Sequence, residues 1–593
     1  MFEAPVHQFH IPVLGIAYSI DTPVKVARYG ISSVVSILED ELMEDLRTYY
    51  SLNNNIPFKP ITKKEEDYRA HRIAEYLNVL QVILDRQIVE VKSSPFSPDS
   101  EITKYFLLLP DDSPLRNKFL DMQEMTEGEE KQKVQQELRD AVVPGEIDVN
   151  IMAKVDNPRF TKDGQRMPDE FCDAMSALRG FASSNLSSSL VFSAGYNPRL
   201  YAYTEQFEDF FPNENGRLKK RIILKVSDYR SALIQGKILA KRGIWVSEFR
   251  IESGLNCGGH AFATDGLLMG PILEEFKNHR KALTEELFVL CNQGLEAKGR
   301  KPFSTIPIQK ITAQGGIGNF KEQEFLLSYY DLDGTGWGSP FLLVPESTNV
   351  DEETLNNLAN ASKDDYYLSE SSPLGVPFNN FRKAQSDVLR LERLAKNRPG
   401  SPCYRNYLSY NTEYTEIPIC TSSRQYQHFK VKELKESGMS ETELKSAIEK
   451  IALKDCLCEG LTASVRVKNG LKIPHNLSAT SICPGPNLAY FSGIFSLKQM
   501  VDHIYGRTNI NNNLDRAHMF VNELELYIEY LKKQIANSIE AMTEKQLNSF
   551  NKFKANLQAG INYYRTTIPQ ICQDNITAAK LALLETQLSK VLA

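Results

Sequence analysis

No apolar run in this 593-residue chain approaches the roughly 18–20 residues that a membrane-spanning helix needs, so no membrane partner is expected. The opening segment, MFEAPVHQFHIPVLGIAYSI, lacks the basic stretch and long apolar core of a secretory signal. A cytoplasmic location follows as the expectation, with the nine cysteines held reduced. Charge of one sign is missing as well. Against 75 Asp and Glu stand 69 Lys and Arg, and no basic stripe interleaves with aromatics, so no nucleic-acid partner is expected. Odd number and irregular spacing argue against a disulfide framework, and no repeat of fixed period is present. What remains is a chain with 42% hydrophobic residues, enough to bury a large core.

Short apolar runs alternate with amphipathic stretches, the pattern of βα units. Pro12–Ala17 and Ile31–Ile37 read as the first two strands, separated by a short helix that Asp21-Thr22-Pro23 opens and Gly30 ends. Further strands are expected at Ile147–Met152, Ser189–Ser193, Arg221–Val226, Ile244–Phe249, Pro307–Ala313 and Thr335–Leu343. A helix from Asp228 to Arg242 has Gly243 at its C-terminal cap. The pattern predicts an α/β chain: a (β/α)8 TIM barrel over residues 1–347, interrupted at about 50–146 by a helical insertion or lid. Residues 348–505 form a cysteine-containing extension packed on the barrel, and 506–593 a helical C-terminal segment. In that segment Phe520, Leu524, Ile528, Leu531 and Ile535 make one apolar stripe, and Phe550, Phe553, Leu557, Ile561 and Tyr564 a second. They read as a helical hairpin packed on the barrel or on a second subunit of a homo-oligomer.

The strongest chemical signal is ITAQGGIGNF, residues 311–320, where a strand runs into Gly315-Gly316-Ile317-Gly318 and a helix starts near Asn319. Glycines let the backbone approach an anion closely, and a helix N-terminus aims unpaired N–H groups at it. A second such turn, Gly338-Ser339, follows the next strand, and the last two strand ends are where a barrel of this class commonly holds a phosphate.

The run TAQGGIGNFKEQEFLLSYYDLDGTGWGSPFLLVPES resembles the C-terminal barrel half of the nitronate monooxygenase and 2-nitropropane dioxygenase family. Its long insertion and extension look more like longer relatives such as the enoyl-reductase subunit of polyunsaturated fatty-acid synthases. The resemblance implies FMN, with Gly315, Gly316, Gly318, Gly338 and Ser339 around its phosphate. In ESGLNCGGH it implies that Gly258 and Gly259 meet the flavin and that His260 is the base that takes a proton α to a nitro group; a purely flavin-contacting or structural His260 is the alternative. By the same likeness Asn150 lies beside the flavin, Lys225 places a cation near N1 and O2 of its ring, and Gly15, Ala17 and Tyr18 form the first loop. A flavin-dependent oxidoreductase of nitronate monooxygenase type is the expected activity, with a small-molecule or acyl substrate. The rivals are an NAD(P)H-dependent enoyl reductase acting on an acyl-carrier-linked substrate, and a non-catalytic assembly protein that keeps a phosphate ligand.

Cys403, Cys420, Cys456, Cys458 and Cys483 share one extension and are candidate iron–sulfur ligands, although their spacing matches neither a compact ferredoxin pattern nor the paired CxxC of a zinc site. Cys257, beside Gly258, reads as a small filler of a tight turn. The segment SSPLGVPFNNFR, residues 371–382, either binds an anionic substrate group through Asn379, Asn380 and Arg382 or is strapped across the barrel.

Overall fold

A computed structural model describes residues 6–153, 155–161, 163–193, 195–512, 514–538 and 542–592. Eight parallel strands close into a barrel in chain order: β1 Phe9–Ile11, β2 Ser32–Ser36, β3 Ile147–Ile151, β4 Ser189–Phe192, β5 Arg221–Val226, β6 Val246–Glu252, β7 Lys310–Gln314 and β8 Gly334–Gly336. Closure pairs Phe9 with Thr335 and His10 with Gly336. Strands covered on both faces read as continuous apolar runs, which is why β5 was legible. The helix Tyr229–Ala240 begins where the Asp228 carboxylate accepts from Ser231 N, and it stops at Gly243, whose φ is +74.

Three elements differ from the sequence expectation. The apolar run Pro12–Ala17 is not a strand: the ladder stops at Ile11, Leu14 N donates to Ser19 Oγ at 2.9 Å, and Tyr18 N turns back to Leu14 O. A short apolar run does not separate a strand from a buried loop. The last strand is short as well. Trp337 N bonds His10 O, Pro340 has no N–H for a ladder, and Ser339–Leu343 coils into a 3-10 turn. Thirdly, the segment read as a lid is wall. The helices Asp40–Asn53 and Tyr68–Ser93 pack against each other and on Asp173–Ser183, with Ile73, Tyr76, Leu77, Leu80 and Leu84 buried at helical spacing.

That wall is pinned by ions. Arg69 donates to Asp40 at 3.0 Å and to Asp173 at 2.5 Å, and Arg72 reaches the second oxygen of Asp40 at 2.9 Å, all four side chains being buried. Arg69→Ala would leave two buried carboxylates short of their shared cation. A loss of about 3–5 kcal/mol in unfolding free energy is expected, and a urea titration reads it. A change under about 1 kcal/mol would show that the network contributes little.

Inside the barrel the layers alternate in character. Val34, Val191 and Ile223 form a small apolar layer. Below the mouth, Arg250 donates to Glu248 at 2.8 Å and lies 3.6 Å from Asp148, while Thr312 Oγ1 donates to Glu248 at 2.6 Å. Burial and the nearby Arg250 push the His10 imidazole down to about 3, so it stays neutral. Burial opposes ionisation of Glu248, yet Arg250 holds its carboxyl at about 2.

The C-terminal segment folds, among its described residues, as the helices Met519–Ser538, Glu544–Thr566 and Asn575–Ser589, one more than the expected hairpin. Most of its two stripes is buried within the chain, while Ile535 and Phe550 at their ends are half-buried. Phe520 stacks on Tyr564 at 5.5 Å between ring centroids, and Tyr563 OH lies 3.0 Å from Tyr330 OH of the barrel wall. No helix among the described residues is long and apolar enough to cross a membrane.

Candidate active site

The extension, not the insertion, covers the barrel mouth. A cavity of about 210 Å³ lies there, between the C-terminal strand ends and Tyr407, Leu408, Leu457, Cys458, Leu461 and Ile482 of the cap. Of the residues singled out in the sequence, it brings together Gly15, Tyr18, Lys225, Cys257, Gly258, Gly259, His260, Gly315, Gly316, Gly338 and Ser339. Ala17 is buried behind that lining, and Asn150 is reached through Ser193, which lines the cavity and donates its hydroxyl to Asn150 Oδ1 at 2.7 Å.

The glycine turn after β7 has its carbonyls held from outside. Arg516 Nη2 donates to Gly316 O at 2.8 Å, Asn487 Nδ2 to Ile317 O at 2.8 Å, and His503 Nε2 to Gly318 O at 3.0 Å. Burial lowers the His503 pKa, so its ring is neutral and Nε2 carries the proton that it donates. Arg516 is itself anchored by Glu322 at 2.6 Å. Carbonyls fixed outward turn the neighbouring amides the other way, and successive N–H groups on one side make an anion-binding nest. Among the described residues no partner is recorded for the N–H groups of Gly315, Gly316, Gly338 or Ser339. Glycine is required here: Gly315 and Gly316 have φ of +106 and +85. A Cβ on Gly316 would lie 2.0 Å from Asn256 Nδ2. Gly318 leaves the expected phosphate set, because its N–H is taken by Glu322 Oε2 at 2.8 Å. Gly485 N donates to Ser339 Oγ at 2.7 Å, so the Pro484-Gly485-Pro486 turn positions that hydroxyl and leaves its proton for another acceptor.

On the floor, Lys225 Nζ lies 2.5 Å from Glu252, which also accepts from Gln314 Nε2 at 2.7 Å. The lysine expected to place a cation at the flavin ring is thus one end of an ion pair. Period-two alternation along β6 places Glu252 here, two positions above Arg250. His260 stands at the rim with Nε2 2.7 Å from Ser372 Oγ, and its backbone bridges Phe378. Ala261 N donates to Pro377 O and Asn379 N to Gly259 O, both at 2.9 Å. Residues 371–382 are therefore a strap. Asn379 is spent on Cys257 O at 2.6 Å, while Arg382 is exposed and bonded to Asp364 O, so neither gathers an anion at the site. Gly258 also serves close packing, since a Cβ there would lie 2.3 Å from Cys483 O.

Arg516, Asn487, His503 and Glu322 were not singled out in the sequence. Only Glu322, three residues after the cap Asn319, carried a local signal. A further tail residue, Glu523, is buried behind the site, accepting from Ser253 Oγ at 2.5 Å and Met269 N at 2.9 Å. Burial pushes its carboxyl up to about 7. With the folded value raised, the associated stability is complete below about 4.5 and is lost as pH rises through about 7. Glu523→Gln fixes the neutral form. It is expected to raise unfolding free energy by up to about 3 kcal/mol near pH 8.5 and hardly at all near pH 5. Denaturant titrations at the two pH values check it; equal effects at both would mean that the carboxyl is not raised.

No protein-family model matches the chain, and no curated protein does. Among solved structures, the enoyl reductase domain of MlnA from the macrolactin biosynthesis cluster of Bacillus amyloliquefaciens aligns at 14% identity over 73% of this chain and 87% of its own, with a TM-score of 0.33. FabK from Thermotoga maritima aligns at 13% identity over 70% and 86%, TM-score 0.29. Nitroalkane oxidase from Streptomyces ansochromogenes aligns at 8% identity over 84% and 94%, TM-score 0.33. The barrel assignment rests on the closed strand pairing of the chain itself.

Proposed function

We propose that this protein is an FMN-dependent oxidoreductase of nitronate monooxygenase type. The observation that carries the reading is the outward clamping of the carbonyls of residues 316–318. The peptide that carries Gly316 O also carries the Ile317 N–H, so the clamp from Arg516 turns that amide to the opposite side, where it would join the amides of Gly315, Gly316, Gly338 and Ser339 around a phosphate. Lys225, Glu252 and Gln314 on the floor and His260 at the rim line the same cavity and would hold the ring system of the cofactor. FMN, when bound, supplies a two-electron acceptor.

The chain's own residues do the rest. His260 at the rim accepts the proton on the carbon α to an electron-withdrawing group, and an imidazole is basic enough to do so near neutral pH. Ser372 orients the ring, its Oγ lying 2.7 Å from Nε2. Leu408, Leu457, Leu461 and Ile482 roof the cavity and exclude water. That same roof favours a second reading, reduction of a C=C bond in a substrate with an apolar chain, driven by NAD(P)H.

The test is a visible spectrum of the purified protein followed by acid release of any chromophore. Flavin bands and released FMN support the proposal; a colourless protein that takes up no added FMN overturns it. Nitronate oxidation without nicotinamide then supports the monooxygenase, and nicotinamide-dependent bleaching supports the reductase.

A further inference from the structure

We propose that Cys403, Cys420, Cys456 and Cys458 bind an iron–sulfur cluster at the edge of the mouth cavity. The fold gathers these four from three separate segments of the cap. Cys403 follows Ser401, which bridges Ser423; Cys420 precedes that bridge on the other side; Cys456 and Cys458 open the helix Leu457–Lys468. The segments are clamped together. Ser401 N donates to Ser422 O and Arg424 N to Ser401 O, both at 2.9 Å, and Ser401 Oγ reaches Asp455 at 3.4 Å. Gln427 Nε2 lies 3.4 Å from Thr421 O and 3.2 Å from Lys454 O, tying the Cys420 turn to the approach to Cys456.

Within this clamp the Cys403 thiol donates to Asn406 Oδ1 at 3.3 Å, and its neighbour Cys420 pushes the Cys403, Cys456 and Cys458 thiols up, beside the effect of burial. All four are free thiols. Cys483, the fifth candidate, stands against Tyr18 instead, and its backbone carbonyl holds Gly259 N, so it leaves the set. Polar groups stand by the sulfurs as an anionic cluster requires: Ser422 Oγ lies 3.1 Å from Cys420 Sγ, and the Arg405 guanidinium, paired with Glu459 at 2.9 Å, lowers the Cys458 thiol against the effect of burial.

Among the described residues no three His, Cys, Asp or Glu side chains converge on a point able to hold a single metal ion. A zinc ion draws every sulfur to about 2.3 Å from one centre. An iron–sulfur cluster spreads four cysteines over two or more irons, so neighbouring thiols need share no centre. Cys458 also lines the mouth cavity, so the cluster shares a wall with the flavin site proposed above. The binding claim itself does not depend on that site.

The test uses the full chain, purified without oxygen and supplied with iron and sulfide. Iron and acid-labile sulfide in equal amounts, about two or about four of each per chain, are expected, with a paramagnetic signal after reduction by dithionite. Cys420→Ser and Cys456→Ser should lose the iron, and Cys572→Ser, far along the chain, should keep it. If the ligand variants do not fold, the metal content of the unaltered chain decides alone. Stoichiometric zinc without sulfide, or no iron after reconstitution, overturns the proposal. Acid-released FMN measured on the same sample separates the two readings: FMN without iron sinks only the cluster, and iron without FMN sinks only the flavin.

Discussion

Gly316→Ala is expected to give a folded protein that carries no FMN. The residue sits at φ +85, a region where a side chain costs about 1–2 kcal/mol, and its Cβ would fall 2.0 Å from the Asn256 amide. Asn256 can swing aside, but the backbone strain stays. Relief comes by rotating the peptide that joins Gly316 to Ile317, which turns the Ile317 amide away from the anion and pulls Gly316 O off Arg516. Binding energy for a phosphate held by amides is lost with that rotation, whereas the barrel, whose pairing ends at Gln314, is not disturbed. Gly338→Ala is the comparison: its Cβ would meet nothing nearer than Pro12 Cγ at 3.4 Å, so flavin loading should survive far better. Acid-released FMN per mole of protein, beside a thermal melt of each variant, checks both. Full loading of Gly316→Ala would remove the turn from the flavin site.

The second large effect is expected at His260. His260→Ala should lower kcat by about 10²–10⁴ while leaving FMN content and melting behaviour near those of the unaltered protein, since general-base catalysis contributes about that much. The His260 side chain is at the rim, away from the phosphate turns, and its strap is also held by backbone bonds that the substitution spares: Ala261 N to Pro377 O and Asn379 N to Gly259 O. The pH profile distinguishes a base from a spacer. In the unaltered enzyme, kcat/KM should rise with pH through an imidazole titration, and in His260→Ala that limb should vanish. A variant whose residual rate keeps the limb would place the base elsewhere. A variant that also loses FMN would make His260 a cofactor contact.

Strand content and strand order were largely legible, because buried parallel strands leave short apolar-rich runs such as the IIL of RIILKV. The glycine turns were legible for a related reason: positive φ at Gly315 and Gly316 leaves few alternatives to glycine. The charged interior was not. Glu248, Arg250 and Glu252 alternate inward along β6, and polar residues at period two look like a solvated face until closure turns that face into the core. The cap was hidden for a different reason. Its contacts with the mouth run through Ser372, Cys483, Gly485 and Asn487, residues joined to the barrel by tertiary packing that no local pattern encodes. Lys225 shows the limit of transfer by likeness, since position alone did not reveal its carboxylate partner.

The clamps on the anion turn also set an order of events during synthesis. Asn487, His503 and Arg516 follow their carbonyl partners by 170, 185 and 200 residues. A chain emerging from the ribosome completes all eight strands at Gly336 with those carbonyls still unrestrained. Anion binding at this turn is therefore expected to wait for Arg516, so that a chain broken off before it closes its barrel yet holds the turn unclamped.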